Sequence, residues 1–260
     1  MSTPVMASER DLHALAGMIT SQRADLPAEG LPESLLSELK DQIRCDFISL
    51  QGIDSGRRQN WLSQTVPDDS DEYDGAAVQA LDRAHWEHYW DSAACSYPDR
   101  TGDLRSVLTV ADFHSARQWH ATGMYTDVYR PQGIEHELQL CLPEPPGRAT
   151  GPGRTVRLYA FRAPGPDFSE RDRALLTLLR PHLHEAYLDA ERCRHPVPRL
   201  TPRQTDLLHL LAAGHTNSQI ARRLGLSEGT VRTHLENIYR LLNVSSRTAA
   251  VTRAFADQTA

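Results

Sequence analysis

The sequence predicts an α+β domain followed by a small all-α domain of four helices. Three observations carry this prediction. Between residues 46 and 163, segments that alternate in polarity like strands are flanked and interrupted by helical ones. In "RHPVPRLTPRQ", Pro196, Pro198 and Pro202 form a run that no continuous helix tolerates. Charge is also uneven: the net charge is −6, yet residues 196–260 carry eight arginines against four acids. A basic small piece on an acidic larger one suggests a polyanion-binding module attached to a carrier that does not bind polyanions.

A chain of 260 residues is the length of about two domains. No run approaches the ~18 apolar residues of a membrane-spanning helix, and the N-terminus has no basic stretch leading into an apolar one. The four cysteines lie far apart with no C-x-x-C spacing, which disfavours a disulfide framework or a zinc ribbon. A cytoplasmic, reduced protein with no membrane contact is expected.

In chain order, "DLHALAGMITSQR" and "PESLLSELKDQIR" read as helices. "DFISLQGID" and "RQNWLSQTV" form a β-hairpin around Ser55-Gly56. "AAVQALDRAHWEHYWDSA" reads as one helix; "RSVLTV", "IEHELQLCLP" and "RTVRLYAFRA" read as strands, the last two joined by the turn-rich "EPPGRATGPG". Ser169 caps a long helix that continues past Pro181 to residue 192.

Four short helices follow the prolines. Thr201-Pro202-Arg203-Gln204 is a capping box with proline at the first helical position, and this helix runs to Gly214. Thr216-Asn217-Ser218-Gln219 is a second box, and its helix stops at Gly225. Ser227 caps the third helix, and Ser245 or Ser246 the fourth. Two helices joined by the short glycine-containing turn Gly225-Leu226-Ser227 make a helix-turn-helix, whose second helix lies in the DNA major groove. On that helix Val231, Leu235, Ile238 and Leu242 form an apolar stripe, opposite Gly229, Arg232, Thr233, Glu236, Asn237 and Arg240. Gly229 lets backbone approach a phosphate at the helix N-terminus. Caps and amphipathicity alone also suit a plain helical bundle with a solvated third helix.

Residues 200–255 resemble the LuxR/FixJ-type helix-turn-helix domain. The resemblance rests on Leu200-Thr201-Pro202-Arg203, Leu208, Ala213-Gly214, Asn217, Ile220-Ala221, Leu224, Ser227, Thr230-Val231, His234, Ile238, Leu242 and Val244. It implies that Arg232, Thr233 and Glu236 meet bases. It places Thr230, Arg240 and the residues Thr216, Asn217 and Ser218 at phosphates, and makes the fourth helix a homodimer surface. Three positions depart from the family's pattern. Gln204 replaces a glutamate but still completes a capping box. Leu241 stands where lysine is common, which removes a phosphate contact. Glu236 either accepts from cytosine N4 or points to water.

The first part of the chain is similar to a GAF domain: a bent antiparallel sheet with helices on one side, ending in a helix that leads to the output module. With "CSYPDRTGDLRSV", "DFHSARQWHATGMY", "RPQGIEHELQLCLP" and "PDFSERDRALLTLLRPHLHEAY", the whole chain resembles LuxR-type regulators of high-GC actinobacteria. A phosphoreceiver needs a late lysine, and the only lysine is Lys40. The Trp/Tyr/Asp-Pro/Trp arrangement of acyl-homoserine-lactone domains is not identifiable, and neither is a Walker A loop. His85 and His88 with Cys95, or His182 with His184, are too few to close a metal site, and no nucleophile elbow is present. No enzyme activity, cofactor or metal is therefore expected.

Trp86, Tyr89, Trp90, Tyr97, Trp119, His120 and Tyr125 are the candidates for a small-ligand pocket, with Tyr129 nearby and Arg100, Arg105, His114 and Arg117 as polar supplements. The ligand would be small and anionic or aromatic. A ligand-free domain that sets dimer geometry is the competing reading, and most of these aromatic residues serve equally well as core.

The expected organisation is a helical segment at 1–24, a GAF-like domain at 25–193, a linker at 194–199 and the DNA-binding domain at 200–260. The expected function is a homodimeric, sequence-specific transcriptional regulator that binds double-stranded DNA and answers to an unidentified effector. A second dimer surface is expected on helix 169–192, along Leu175, Leu179, His182, Ala186 and Ala190. The alternative is a GAF-like ligand-binding or redox protein whose C-terminal domain mainly dimerises it.

Overall fold

The computed structural model describes residues 9–20, 25, 27–67, 74–143, 153–194, 200–242, 244 and 246–255. They fall into two compact units that part between Glu191 and Arg192. The N-terminal unit runs α1 (Glu9–Thr20), α2 (Glu33–Ile43), β1 (Phe47–Asp54), β2 (Gln59–Val66), α3 (Gly75–His88), α4 (Ala93–Thr101), β3 (Leu108–Thr109) and α5 (Ala116–His120). A π-helix (Met124–Tyr129), β4 (His136–Leu142), β5 (Arg154–Arg162) and the long α6 (Glu170–Arg194) follow. The C-terminal unit holds α7 (Pro202–Ala212), α8 (Asn217–Leu224), α9 (Glu228–Leu241) and α10 (Arg247–Phe255). No described helix is long and apolar enough to cross a membrane.

The strands form one antiparallel sheet in the order β2-β1-β5-β4-β3. The β1/β2 hairpin pairs Gln51 with Ser63 and shifts register between Gly52 and Ile53. Phe47, Ser49 and Gln51 of β1 sit opposite Phe161, Tyr159 and Arg157 of β5. Because side chains alternate across a strand, this register separates two chemically different faces.

One face is apolar. Ile48, Leu50, Leu138, Leu140 and Leu158 pack against Leu36 and Leu39 of α2 and against Leu175, Leu176, Leu179 and Leu183 of α6. Each such leucine contributes about 1.5–3 kcal/mol relative to exposure, which is why α6 continues through Pro181. The other face buries polar groups: Ser49, Glu137, Gln139, Thr155 and Arg157 are all buried there. They lie on the side covered by an aromatic cluster that includes Trp86, Tyr89, Trp119, Tyr129 and Phe161.

Several expectations are corrected. Helices cover both faces of the sheet, not one, because the strands bury side chains on each side. The single helix expected over 76–93 breaks: α3 ends at His88, and Ser92 caps α4 by accepting from the Cys95 N–H. The strand expected at 105–110 shrinks to Leu108–Thr109, because carboxylates capture the neighbouring backbone donors. Asp103 takes the Arg105 and Ser106 N–H groups at 2.8 and 3.2 Å, and Asp112 takes that of Thr109 at 2.8 Å. The dimer face proposed for α6 is used within the chain, since Leu175, Leu179 and Ala190 are buried in it. His182 is exposed and Ala186 half-buried. The turn at 144–152 and residues 195–199 of the expected linker lie outside the described residues.

Candidate DNA interface and N-terminal cavity

The C-terminal unit is built by its caps. Thr201 accepts from the Gln204 N–H and Thr216 from the Gln219 N–H, and in both boxes the glutamine returns to the cap's backbone. Each box satisfies donors that a helix start leaves orphaned. Gly225 closes α8 in the left-handed region at φ 64°, and the next N–H, that of Leu226, bonds the Ala221 carbonyl at 2.9 Å. Ser227 then caps α9, accepting from the Thr230 N–H at 3.0 Å, and its hydroxyl meets that of Thr230 at 2.8 Å. The turn between α8 and α9 is therefore short and fixed at both ends.

Across α9 the predicted stripe is buried: Val231, Leu235, Ile238 and Leu242 join Leu207, Leu208, Leu211, Ile220 and Ala250 in one core. The opposite row is exposed, comprising Gly229, Thr230, Arg232, Thr233, Glu236, Asn237 and Arg240. Thr233 donates to the Gly229 carbonyl at 3.2 Å, and Arg240 to the Asn237 side chain at 3.3 Å. Among the described residues Arg232 has no hydrogen-bond or ion-pair partner. Thr216 and Ser218 at the start of α8 are exposed, Asn217 is half-buried, and Ser227 is exposed. His234 is half-buried, and Leu241 stands out at 40% exposure.

Two other arginines are structural. Arg203 donates to the Leu224 carbonyl at 2.6 Å. Arg247 donates to those of Leu211 and His215 at 3.1 and 2.6 Å. The Leu224 and Leu211 carbonyls are at helix ends and would otherwise go unpaired, and the His215 carbonyl lies in the turn before α8.

In the N-terminal unit a cavity of about 360 Å³ opens over the polar face of the sheet, at the lower end of the range for small-molecule sites. Its floor is Ser49, Gln51, Asn60, Thr65 and Tyr159; Phe47, Phe161 and Ile134 form an apolar end. Val78, Leu81, Asp82 and His85 come from α3, and Val128 and Tyr129 from the π-helix. Short π-helical insertions are frequent at functional sites. The His85 Nε2 is shut off from water and makes no hydrogen bond among the described residues. Burial, and secondarily the Arg157 charge, pushes the His85 pKa down to about 4, so the imidazole is neutral at pH 7.

Beside the cavity lies a buried ionic cluster. Arg157, with no exposed side-chain surface, donates to Thr155 Oγ1 at 2.9 Å, to the Tyr89 hydroxyl at 2.6 Å and to Asp99 Oδ2 at 2.9 Å. A further donation to the Cys95 carbonyl ties β5 to α4. Ser55 completes the cluster by donating to Asp99 Oδ1 at 2.8 Å. Such a charge is tolerated in the interior only with this degree of pairing. Glu137 is fully buried and accepts from the Tyr129 hydroxyl. Its Oε1 and the Oε1 of Gln139, two acceptors on one face of β4, have no hydrogen-bond partner among the described residues. Burial pushes the Glu137 pKa up to about 7, against the lowering effects of Tyr129 and Arg157.

None of the seven pocket candidates lines this cavity. Trp86, Tyr89 and Trp119 are buried in the aromatic cluster, where Trp86 and Tyr89 centroids lie 5.2 Å apart. Trp86 donates to Asp82 and Tyr89 to Asp99, while the Trp119 indole nitrogen has no hydrogen-bond partner among the described residues. Trp90 is 36% exposed, and Tyr97 packs on Phe113. His120 and Tyr125 stack at 4.4 Å and share the Glu135 carboxylate. The four polar supplements are also outside the lining. His88 pairs with Asp127 at 2.9 Å, and no group of three metal-ligating side chains converges among the described residues. Sequence reasoning missed Ser49, Gln51, Asn60 and Thr65. The signal was present for Ser49 and Gln51, which alternate with Ile48 and Leu50 along β1. Asn60 and Thr65 lie five residues apart and reach one face only because the register shifts between Gly52 and Ile53.

Comparison with known proteins bears on both units. Residues 198–254 match the family model for bacterial regulatory proteins of the luxR family, so the C-terminal unit carries a LuxR-family helix-turn-helix domain. The "Probable transcriptional regulatory protein SgaR" of Hyphomicrobium methylovorum is 44% identical over 79 residues, 30% of this chain and 37% of that protein. The nitrate/nitrite response regulator protein NarP of Escherichia coli K12 is 53% identical over 55 residues, 21% of this chain and 26% of that protein. The matched stretch is thus a minor part of either relative. The crystal structure of Escherichia coli SdiA aligns over 95% of this chain and 96% of its own, with a TM-score of 0.53 at 16% identity. SdiA in complex with octanoyl-rac-glycerol aligns over 97% of both chains, with a TM-score of 0.53 at 17% identity. At such identity the likeness is one of fold.

Proposed function

With a LuxR-family helix-turn-helix at its C-terminus, we propose that this chain is a homodimeric, sequence-specific transcriptional regulator acting on double-stranded DNA in the cytoplasm. The observation that carries the proposal is the division of α9 into a buried stripe and an exposed polar row, behind a short turn capped at both ends. A helix held in this way presents its N-terminal residues to base edges. Arg232 is the base reader of this row, with Thr233 beside it; Glu236 accepts from cytosine N4 or stays in water. Gly229, Thr230, Asn237 and Arg240, with Ser227 and the α8 start Thr216, Asn217 and Ser218, set the register on phosphates.

The homodimer forms through α10, whose Val251, Ala254 and Phe255 are only partly covered within the chain. The N-terminal unit acts as a sensor of GAF-like plan, and its cavity takes a small effector. Support comes from the cavity's place over a buried polar sheet face and from the fold likeness to SdiA, one structure of which holds octanoyl-rac-glycerol. Effector binding would change the spacing of two recognition helices that must meet half-sites about one helical turn apart. The test is Arg232→Ala. It should lose specific DNA binding in a mobility-shift assay while keeping the dimer mass by light scattering. Unchanged specific binding would remove Arg232, and with it the reading of this face.

A further inference from the structure

The cavity over the sheet has a chemical signature that narrows what it holds. Among the described residues no lysine or arginine lines it. The nearest buried cation, Arg157, is already committed to Thr155, Tyr89, Asp99 and the Cys95 carbonyl. Asp82, the one carboxylate in the lining among the described residues, accepts from the Trp86 indole at 3.2 Å. His85 is neutral at physiological pH. An anion entering this space would lose its hydration with no cation to meet it.

What the lining does offer is amides, hydroxyls and rings. The side-chain amides of Gln51, Asn60 and Gln132 each carry both donors and acceptors. Gln132 spends one donor on the Val128 carbonyl at 2.8 Å, leaving its oxygen as an acceptor. Ser49 accepts from Thr65 at 3.0 Å and from Gln51 at 3.3 Å, which orders a hydroxyl-amide strip along the floor. At the other end Phe47 and Phe161 lie 4.9 Å apart, and Tyr159 stacks on Phe161 at 5.6 Å. This makes a ring-lined wall for a flat apolar group. Polarity therefore runs in one direction across the cavity, from rings to amides.

Resting on the reading of this cavity as a ligand site, we propose that it selects an uncharged ligand. One end is an aromatic ring seated on Phe47, Tyr159 and Phe161. The other is a neutral group with paired donor and acceptor, such as a carboxamide, seated on Gln51, Asn60 and Ser49. The same lining excludes a carboxylate, and an ammonium ion meets among the described residues only the Asp82 carboxylate, which already accepts from the Trp86 indole away from the amide floor. The anionic ligand considered from the sequence depended on Arg100, Arg105 and Arg117, none of which reaches the cavity.

The experiment uses the full chain and three sets of probes built on benzene, naphthalene and indole. Each ring carries a carboxamide, a carboxylate or an aminomethyl group, and binding is read by calorimetry and thermal shift at pH 7.5. Within the best set the carboxamide should bind at least tenfold more tightly than either charged partner. Gln51→Leu should weaken the carboxamide at least tenfold while leaving the unliganded melting temperature nearly unchanged. Ser49→Trp, which fills the space, should abolish its binding. Tighter binding of a carboxylate or an amine would overturn the charge selection and leave the cavity as a ligand site. If no probe binds but Ser49→Trp alters operator binding, the ligand class is wrong and the sensor reading survives. If no probe binds and Ser49→Trp leaves operator binding unchanged, both fall.

Discussion

Replacing Glu137 by Gln tests the buried polar face of the sheet. Glu137 is 1% exposed, and its pKa rises from 4.5 to about 7, mainly through burial. At about 1.36 kcal/mol per pH unit, this rise corresponds to about 3 kcal/mol. The folded state holds the proton more tightly than the unfolded chain. The stability this confers is complete below pH 4.5 and is lost as the pH rises through about 7. Glutamine keeps the acceptor for Tyr129 and carries no charge to bury. Glu137→Gln should therefore be more stable than the wild type by about 2–3 kcal/mol at pH 8, and the two should converge as the pH falls below 4.5. His85 acts oppositely: its pKa is lowered from 6.5 to about 4, so its contribution is lost as the pH falls below 6.5. That term is common to both proteins and cancels in the comparison. Urea unfolding followed by tryptophan fluorescence is the assay, because Trp61, Trp86, Trp90 and Trp119 all lie in the N-terminal unit. A variant no more stable at pH 8, or a difference independent of pH, would refute the reasoning.

Other substitutions address the remaining claims. Leu241→Lys should tighten DNA binding and steepen the salt dependence by about 0.9 in log K against log salt per protomer; Leu241 is 40% exposed, so little packing is lost. Arg157→Met removes the charged partner of buried Asp99 and should destabilise the N-terminal unit by about 3–5 kcal/mol, read by the same fluorescence unfolding. Gly225→Ala meets no steric obstacle but must hold φ at 64°. It should cost about 1–2 kcal/mol in the unfolding of the isolated 198–260 segment if that segment folds alone, and otherwise in the second transition of the full chain.

The C-terminal unit was largely legible because its determinants are local. Thr201 and Gln204, Thr216 and Gln219, and Ser227 and Thr230 act across three residues, a distance that sequence spacing displays directly. The stripe from Val231 to Leu242 is equally local. The N-terminal unit was legible at the level of strands, since β1, β2, β4 and β5 follow from alternation. Its site was not. Ser49, His85 and Tyr159 meet only after β1 pairs with β5 and α3 crosses the face. Aromatic density pointed instead to Trp86 and Trp119, which are buried against other rings because large apolar groups pack with one another first. Competition for backbone donors, by Ser92 at the α3 end and Asp103 before β3, shortened elements that periodicity alone would have continued.

The most direct measurement is selection of bound duplexes from a random DNA pool by the full chain, with Arg232→Ala carried in parallel. The account predicts enrichment of an inverted repeat with half-sites about one helical turn apart, and loss of that enrichment in the variant. Enrichment of no sequence by the wild-type chain, or the same repeat selected by Arg232→Ala, would contradict it.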